Sequence, residues 1–440
     1  MAEQLQSDRP LLETTDTAEL LDMGFLHSGD ELEQIISVYQ GGRARGDEIG
    51  LTIAPTLACN KACGYCYQNE YRVDRTMSAE TQDATVRYVA ARVAEGWRKV
   101  SCTWYGGEPL LAADIVIDLA ARLRQVIEQS DGTLQPMSII TNGTLLDENM
   151  VDRLTSVGII SAQVSFDALT DEGPETRGVL DPEGRPSQIL RNVVIASEKM
   201  DLSLRLNVHR ANSEDVRRIL EVLREHGLDR RVGLARTDDL DGEAGCVTAS
   251  DGHRFKPGRK TLPLFVIGAN SASVGKASPD VMSRPEFAKF EQAVSDVLPS
   301  ATELLVSRLT PKTHFCSATS GTMFAIDPVG DISRCWDSVG VPSEAMGNVR
   351  QVDSDMTETA VAGRWRGMSP FTYPSCTSCP VLPLCMGGCS HPRVFMDAKK
   401  SPCESIKFQI RSAVDSIARI VELPDNRAGV RVRAGATGDA

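Results

Sequence analysis

"TLACNKACGYCYQNE", residues 56–70, sets Cys59, Cys63 and Cys66 in a C-x3-C-x2-C run at the end of the apolar segment "LTIAPTLA". A closed metal site takes four protein ligands. Three thiolates on a loop leaving a strand suit a [4Fe-4S] cluster held through three irons, whose fourth iron keeps an open position where chemistry happens. Structural zinc is the competing reading, but zinc knuckles and ribbons place CxxC pairs on hairpins and complete four ligands.

Outward from this loop, strand and helix patterns alternate. Short apolar runs predict strands at "LTIAPTLA", "KVSCTWYG", "MSIITN", "IISAQVSF", "LSLRLNVH" and "RVGLAR". Amphipathic spacing predicts helices over 78–94, 112–129, 147–156, 187–199 and 213–226, with Asn212 or Ser213 as cap of the last. Six such alternations predict a parallel sheet with helices outside it, either an open sheet or a partial barrel, whose ligands sit at the carboxyl ends of the strands. Before it, residues 1–49 read as a polar start and a helical extension that covers the end of the barrel. After it, 237–309 read as an irregular connection that resumes as a helix at "MSRPEFAKFEQAVSDVL". Residues 310–410 read as a small Cys-, Pro- and Gly-rich domain stapled by metal, and 411–440 as a helix end and disordered tail.

With 440 residues and 41% apolar content the chain can bury a large core. A net charge of -13 argues against nucleic acid as a partner, since that affinity comes from clustered Lys and Arg. No apolar run is long enough for a membrane span and the N-terminus lacks signal-peptide features, so a cytoplasmic location is expected. Of twelve cysteines, three lie at 59–66, seven between 316 and 403, and only Cys102 and Cys246 stand apart. In a reducing compartment such clustering points to metal rather than disulfides. Cys102, inside a strand pattern, reads as a small core residue.

The C-x3-C-x2-C run with Tyr65 before its third cysteine resembles the signature of the radical S-adenosylmethionine (radical SAM) superfamily. The resemblance implies a partial (β/α)6 TIM-like barrel in which Cys59, Cys63 and Cys66 hold the SAM-binding [4Fe-4S] cluster. It extends to "YGGEP" at 105–109, similar to the family motif that contacts the SAM amino group, and implicates Gly106, Gly107, Glu108 and Pro109. "TNGTLL", "SFD" and "RLNVHR" resemble pocket-lining segments and add Asn142, Ser165, Asp167 and Asn207. The residue types fit: paired glycines let backbones approach closely, and a carboxylate accepts from an ammonium group.

A second set, Cys316 with Gly330 and Cys335, then Cys376-x2-Cys379-x5-Cys385-x3-Cys389 and Cys403, resembles the SPASM domain of radical SAM enzymes that modify peptides and proteins. That resemblance gives Cys376, Cys379, Cys385 and Cys403 to one auxiliary cluster, and Cys316, Cys335 and Cys389 to another. Fully ligated members supply a further Cys soon after the first, which is absent here, leaving His314, Asp337, Cys246, water or a substrate thiolate for the fourth position.

The implied chemistry is reductive cleavage of SAM to a 5'-deoxyadenosyl radical that abstracts hydrogen from a peptide or protein substrate. The expected outcome is an oxidative thioether or carbon–carbon crosslink in a ribosomally made peptide. A flavodoxin- or ferredoxin-type reductant and a separate leader-binding protein are the expected partners, and no catalytic acid or base is identifiable. Alternatives are an anaerobic sulfatase-maturating enzyme, an epimerase or dehydrogenase of small molecules, and a non-catalytic iron–sulfur scaffold. In the sulfatase-maturating family an acidic residue directly follows the second auxiliary Cys, whereas here Trp336 intervenes before Asp337.

Overall fold

Strand β1 (Glu48–Ile53) pairs in parallel with β2 (Lys99–Trp104), β2 with β4 (Met137–Thr141), β4 with β5 (Ile159–Phe166), β5 with β8 (Asp201–Val208) and β8 with β9 (Val232–Arg236). The short β3 (Thr133–Leu134) also pairs with β2, and β6 (Ala168–Thr170) with β7 (Gly178–Leu180) forms a separate two-stranded sheet. These relations come from a computed structural model that describes residues 30–42, 46–66, 68, 75–236, 282–295, 297, 309, 311–351, 359–395 and 403–410. The segment 237–281 with Cys246, and the tail after 410, lie outside the described residues.

Along the run β1, β2, β4, β5, β8 and β9 each crossover is helical. Helices α2 (Ala79–Ala94), α3 (Ala113–Gln129), α4 (Glu148–Ser156), α5 (Gln188–Lys199) and α6 (Val216–Glu225) follow the predicted periodicity. Ser78, Asp147 and Ser187 cap three of them, each accepting from a backbone amide of the first turn. Ile53, Tyr88, Trp104, Leu123, Phe166 and Leu206 meet in one apolar core between sheet and helices. Burial of each such side chain contributes about 1.5–3 kcal/mol. Cys102 sits in this core as expected, where burial pushes its thiol pKa up. The result is a mixed α/β fold with the parallel-rich sheet of a partial TIM-like barrel. No helix among the described residues is long and apolar enough to cross a membrane.

Three features differ from the sequence expectations. The Cys-rich region does not stand apart, because β10 (Met323–Ile326) pairs in parallel with the outer edge of β1, and β11 (Asp331–Ser333) and β12 (Gly347–Asn348) extend the same sheet. Helix α1 (Glu31–Gly42) sends Tyr39 into the cysteine region, where its hydroxyl donates to Met368 O at 3.2 Å and its ring meets Phe371 edge-on. It therefore braces that region. Asn212 is not a helix cap, since α6 starts at Val216 after an uncapped Asp215. Its Nδ2 instead donates to Asp167 O at 2.7 Å and Asn207 O at 2.8 Å, tying the end of β5 to the end of β8.

Replacing Asn212 by Ala removes the donor from two buried carbonyls and is expected to cost about 1–3 kcal/mol. Urea denaturation reads this as a lower midpoint at unchanged slope. An unshifted midpoint contradicts the cross-tie.

Candidate active site

The loop carrying Cys59, Cys63 and Cys66 leaves β1 without regular structure of its own, and every side of it is held by a neighbouring strand end. From β2, the amides of Gly107 and Glu108 donate to Thr56 O at 3.1 Å and Ala58 O at 2.8 Å. From β4, Asn142 Nδ2 donates to Asn60 Oδ1 at 2.7 Å, and Asn60 Nδ2 donates to Thr144 Oγ1 at 2.8 Å. Beyond β5, the buried Lys61 ammonium donates to Asp171 Oδ1 at 2.8 Å and to the carbonyls of Gly173 and Thr176. The Tyr65 hydroxyl donates to Asp167 Oδ2 and accepts from Asn207 Nδ2 at 3.1 Å.

The paired glycines have a clear steric reason. Gly106 adopts φ +128°, and a Cβ there would lie 2.2 Å from Thr56 O. A Cβ on Gly107 would lie 2.2 Å from Ala58 O and 2.4 Å from Leu57 O. Close approach is required, and the surface approached is the cysteine loop itself.

Glu108 is turned inward. Its Oε1 accepts from Leu110 N at 3.0 Å and Thr141 Oγ1 at 2.8 Å, and its Oε2 accepts from Asn142 N at 2.7 Å. The carboxylate thus ties the loop after β2 to the loop after β4, where the sequence reading gave it to an incoming ammonium group. Full burial pushes its pKa up to about 7, against the pull of those three hydrogen bonds. Pro109 is buried beside it and opens a short 3-10 turn. Asp167 is likewise inward. Its carboxylate accepts from Arg177 N at 2.7 Å and Arg177 Nε at 2.8 Å, and burial pushes its pKa up to about 7 while the Arg177 amide and Lys61 favour the ionised form.

Cys59, Cys63, Cys66, Tyr65, Gly106, Gly107, Asn142, Ser165 and Asn207 line one cavity at the carboxyl ends of the strands. Glu108, Pro109 and Asp167 stand behind its wall. The cavity is also lined by Tyr105 and Arg205, which open the segments YGGEP and RLNVHR, and by Gln163, Arg177 and Trp336, which the sequence reading did not place there. Period-two alternation singles out Gln163, which precedes Ser165 by two on β5, just as Arg205 precedes Asn207 by two on β8. Trp336 comes from the Cys-rich region, and its ring lies 5.9 Å from that of Tyr105; no local pattern signals it.

The donor set fits an iron–sulfur cluster with a further ligand. No disulfide joins any two of the eleven described cysteines. Among the described residues no three His, Cys, Asp or Glu side chains close on a single metal ion, whereas a four-iron cube spreads its thiolates more widely. Gln163 is buried in the cavity wall and its Oε1 has no hydrogen-bond partner among the described residues, an atom that a polar ligand would satisfy.

The remaining cysteines fall into two neighbourhoods. Cys316, Cys335 and Cys389 pack into one buried group with Phe315, Trp365 and Met386. Cys376, Cys379 and Cys403 all act on the Lys407 ammonium and raise its pKa, Cys403 most. Burial first, and then Glu404 next to Cys403, push the Cys385 thiol up to about 11. His314 bonds Thr313 Oγ1 through Nδ1 at 2.8 Å. Asp337 Oδ2 accepts from Cys335 Sγ at 3.7 Å.

Residues 53–235 match the family model described as the radical SAM superfamily. Over 93 residues the chain is 41% identical to the serine-type anaerobic sulfatase-maturating enzyme of Klebsiella pneumoniae, covering 21% of this chain and 23% of that one. Over 183 residues it is 31% identical to the PqqA peptide cyclase of Granulibacter bethesdensis, covering 41% and 46%. The matched stretches span less than half the length of these relatives. Among solved structures, native anSMEcpe with bound AdoMet and Kp18Cys peptide superposes with a TM-score of 0.59 at 16% identity, over 84% of this chain and 99% of that one, a likeness of fold.

Two outcomes check the geometry. Gly107→Ala is expected to displace the cysteine loop and lower the iron bound after reconstitution, while Ala at the unhindered Gly173 position does not serve as a control because φ there is +140°; Gly363→Ala, with open space around it, does. Equal iron in Gly107→Ala and Gly363→Ala contradicts the steric argument. For Glu108 the folded pKa near 7 lies above the ordinary 4.5, so the folded state holds the extra proton between these values. Its contribution to stability is full below about pH 4.5 and is lost as pH rises through 7, by up to about 3 kcal/mol. The stability gap between the wild type and Glu108→Gln, from urea titrations, is therefore expected to narrow over that window; a constant gap contradicts it.

Proposed function

Residues 53–235 form a radical SAM domain, and from that premise we propose that the protein is a radical SAM oxidoreductase that matures a peptide or protein. The observation that carries this reading is the single cavity joining the three thiols of the cysteine loop to the strand ends of β2, β4, β5 and β8 and to Trp336. Cys59, Cys63 and Cys66 would hold the [4Fe-4S] cluster and leave one iron for SAM. Bound together, cluster and SAM supply a 5'-deoxyadenosyl radical able to abstract hydrogen from an unactivated carbon.

The chain's own residues hold and enclose this chemistry. Lys61, Asn60, Tyr65 and the Gly107 and Glu108 amides fix the cysteine loop. Ser165, Asn207, Arg205 and Gln163 offer polar groups to SAM and substrate from the barrel wall. Tyr105 and Trp336 form an aromatic side that limits water, as radical chemistry requires. Asp167 and Arg177, an ion pair at 2.8 Å, keep Tyr65 in place. Two auxiliary clusters, one at Cys376, Cys379, Cys385 and Cys403 and one at Cys316, Cys335 and Cys389, suit a reaction in which the substrate radical loses a further electron. That favours an oxidative thioether or carbon–carbon crosslink in a ribosomally made peptide, with a flavodoxin- or ferredoxin-type reductant and a separate leader-binding protein as partners.

The second reading is sulfatase maturation, favoured by the Klebsiella relative. Against it, the position after Cys335, which faces the cavity, carries Trp336 rather than the acidic residue of that family.

With dithionite and SAM, the reconstituted protein is expected to form 5'-deoxyadenosine. Ala at Cys59, Cys63 and Cys66 together is expected to abolish this while auxiliary iron remains. Mass spectrometry of co-expressed short peptides encoded beside the gene is expected to show loss of two hydrogens. SAM left intact by an iron-replete sample would instead mark a cluster scaffold, and oxidation of a co-expressed sulfatase would favour the second reading.

A further inference from the structure

The strands of the barrel carry two different faces. Outward residues such as Cys102, Ile139, Val164 and Leu204 belong to the apolar core under the helices. Period-two alternation turns their neighbours inward, and there the residues are small and hydroxylic: Ser101 and Thr103 on β2, Ser138 on β4, Ser161 on β5 and Ser203 on β8. All five are only half-buried, and the Thr103 and Ser138 hydroxyls bond each other at 2.8 Å. Bulky branched side chains, which fill the interior of a complete TIM barrel, are not what these positions supply.

Gln163 stands on this inner face, in register with Ile140 on one side and Ser203 on the other. It lines the cavity and is 7% exposed, yet its Oε1 has no hydrogen-bond partner among the described residues. A buried acceptor left in that state is costly until a donor reaches it. Rotation about the terminal torsion exchanges Oε1 and Nε2, so the amide can turn either its acceptor or its donor to the space beside it. Ser165, two residues on, stands about 7 Å nearer the cysteine loop on the same face. Tyr65 meets Asp167 and Asn207 at the level above that. Gln163 therefore belongs to the floor of the cavity, not to its rim.

The charges around it narrow what it can receive. Among the described residues the charged side chains in the cavity wall are Lys61, Arg177 and Arg205, and no carboxylate lines it. Lys61 and Arg177 are balanced by Asp171 and Asp167 behind the wall. An ammonium brought in by a ligand would lose its water with no carboxylate facing it. Resting on the reading above that SAM binds at the cysteine loop and a peptide is the substrate, we propose that Gln163 is a specificity-determining residue. It selects, at the peptide position that reaches the radical, an uncharged side chain that carries a hydrogen-bond donor. An Asn or Gln side chain fits in both directions, giving N–H to Oε1 and accepting from Nε2. An apolar side chain of similar size leaves Oε1 orphaned, and a carboxylate has no hydrogen to give it.

The test uses the reconstituted full chain with dithionite, SAM and blocked tripeptides, N-acetyl-Gly-X-Gly-amide, in which X is side-chain-deuterated Gln, Glu, Leu or Lys. Mass spectrometry of the 5'-deoxyadenosine formed reads the deuterium taken from X. Transfer from Gln is expected to exceed that from each of the others roughly tenfold, the effect of one lost partner at a buried acceptor. In Gln163→Leu this preference is expected to vanish, and in the near-isosteric Gln163→Glu it is expected to pass to Lys. Equal transfer from all four peptides, no transfer from any, or a preference for Gln that survives in Gln163→Leu overturns the proposal. A loss of SAM affinity in Gln163→Leu by the same factor, measured by equilibrium dialysis, gives the amide to SAM and overturns it as well. Absence of 5'-deoxyadenosine from every sample, with or without peptide, removes instead the reading on which the proposal rests.

Discussion

A loop that must present three thiols cannot hold itself, because it forms neither helix nor strand and its backbone groups still need partners. Here those partners are chiefly the two amides after β2, from Gly107 and Glu108, which donate to carbonyls at the start of the cysteine loop. Any side chain at Gly107 would enter the space of the Leu57 and Ala58 carbonyls. The same turn folds the Glu108 carboxylate inward, where it gathers Leu110, Thr141 and the Asn142 amide. One buried carboxylate therefore ties the loops after β2 and β4 together, while the two amides tie the same turn to the loop after β1. The raised pKa of Glu108 is the consequence of that placement.

The second constraint comes from the far end of the chain. Parallel pairing of β10 with β1 makes the cysteine-rich region continuous with the barrel sheet. The chain then turns through β11 and delivers Trp336, one residue past Cys335, to the cavity. Barrel and auxiliary region thus share a wall.

Much of this was legible in the residues. Strand and helix spacing fixed the alternation through "RVGLAR", and the cysteine spacing marked both the loop and the two later sets. The inward faces of β5 and β8 were available by alternation, although Gln163 went unread. Other features depended on contacts between distant residues. Whether Glu108 points to the cavity or away from it is decided by the backbone at Gly106 and by donors on β4. Asn212 looks like a helix cap in sequence, but the carbonyls of Asp167 and Asn207 compete for it and win. Strands as short as β10 to β12 carry too little periodicity to be seen, and the edge of β1 that accepts β10 exists only once the sheet has formed.

The claim on which the account turns is that the cysteine loop holds a cluster with one iron open to SAM. Electron–nuclear double resonance of the reduced protein with SAM labelled isotopically at its amino nitrogen and carboxylate oxygens tests it most directly. Coupling of both labels to the cluster is the predicted result, lost with Ala at Cys59, Cys63 and Cys66. A reduced cluster at that loop that shows no coupling to either label would contradict it.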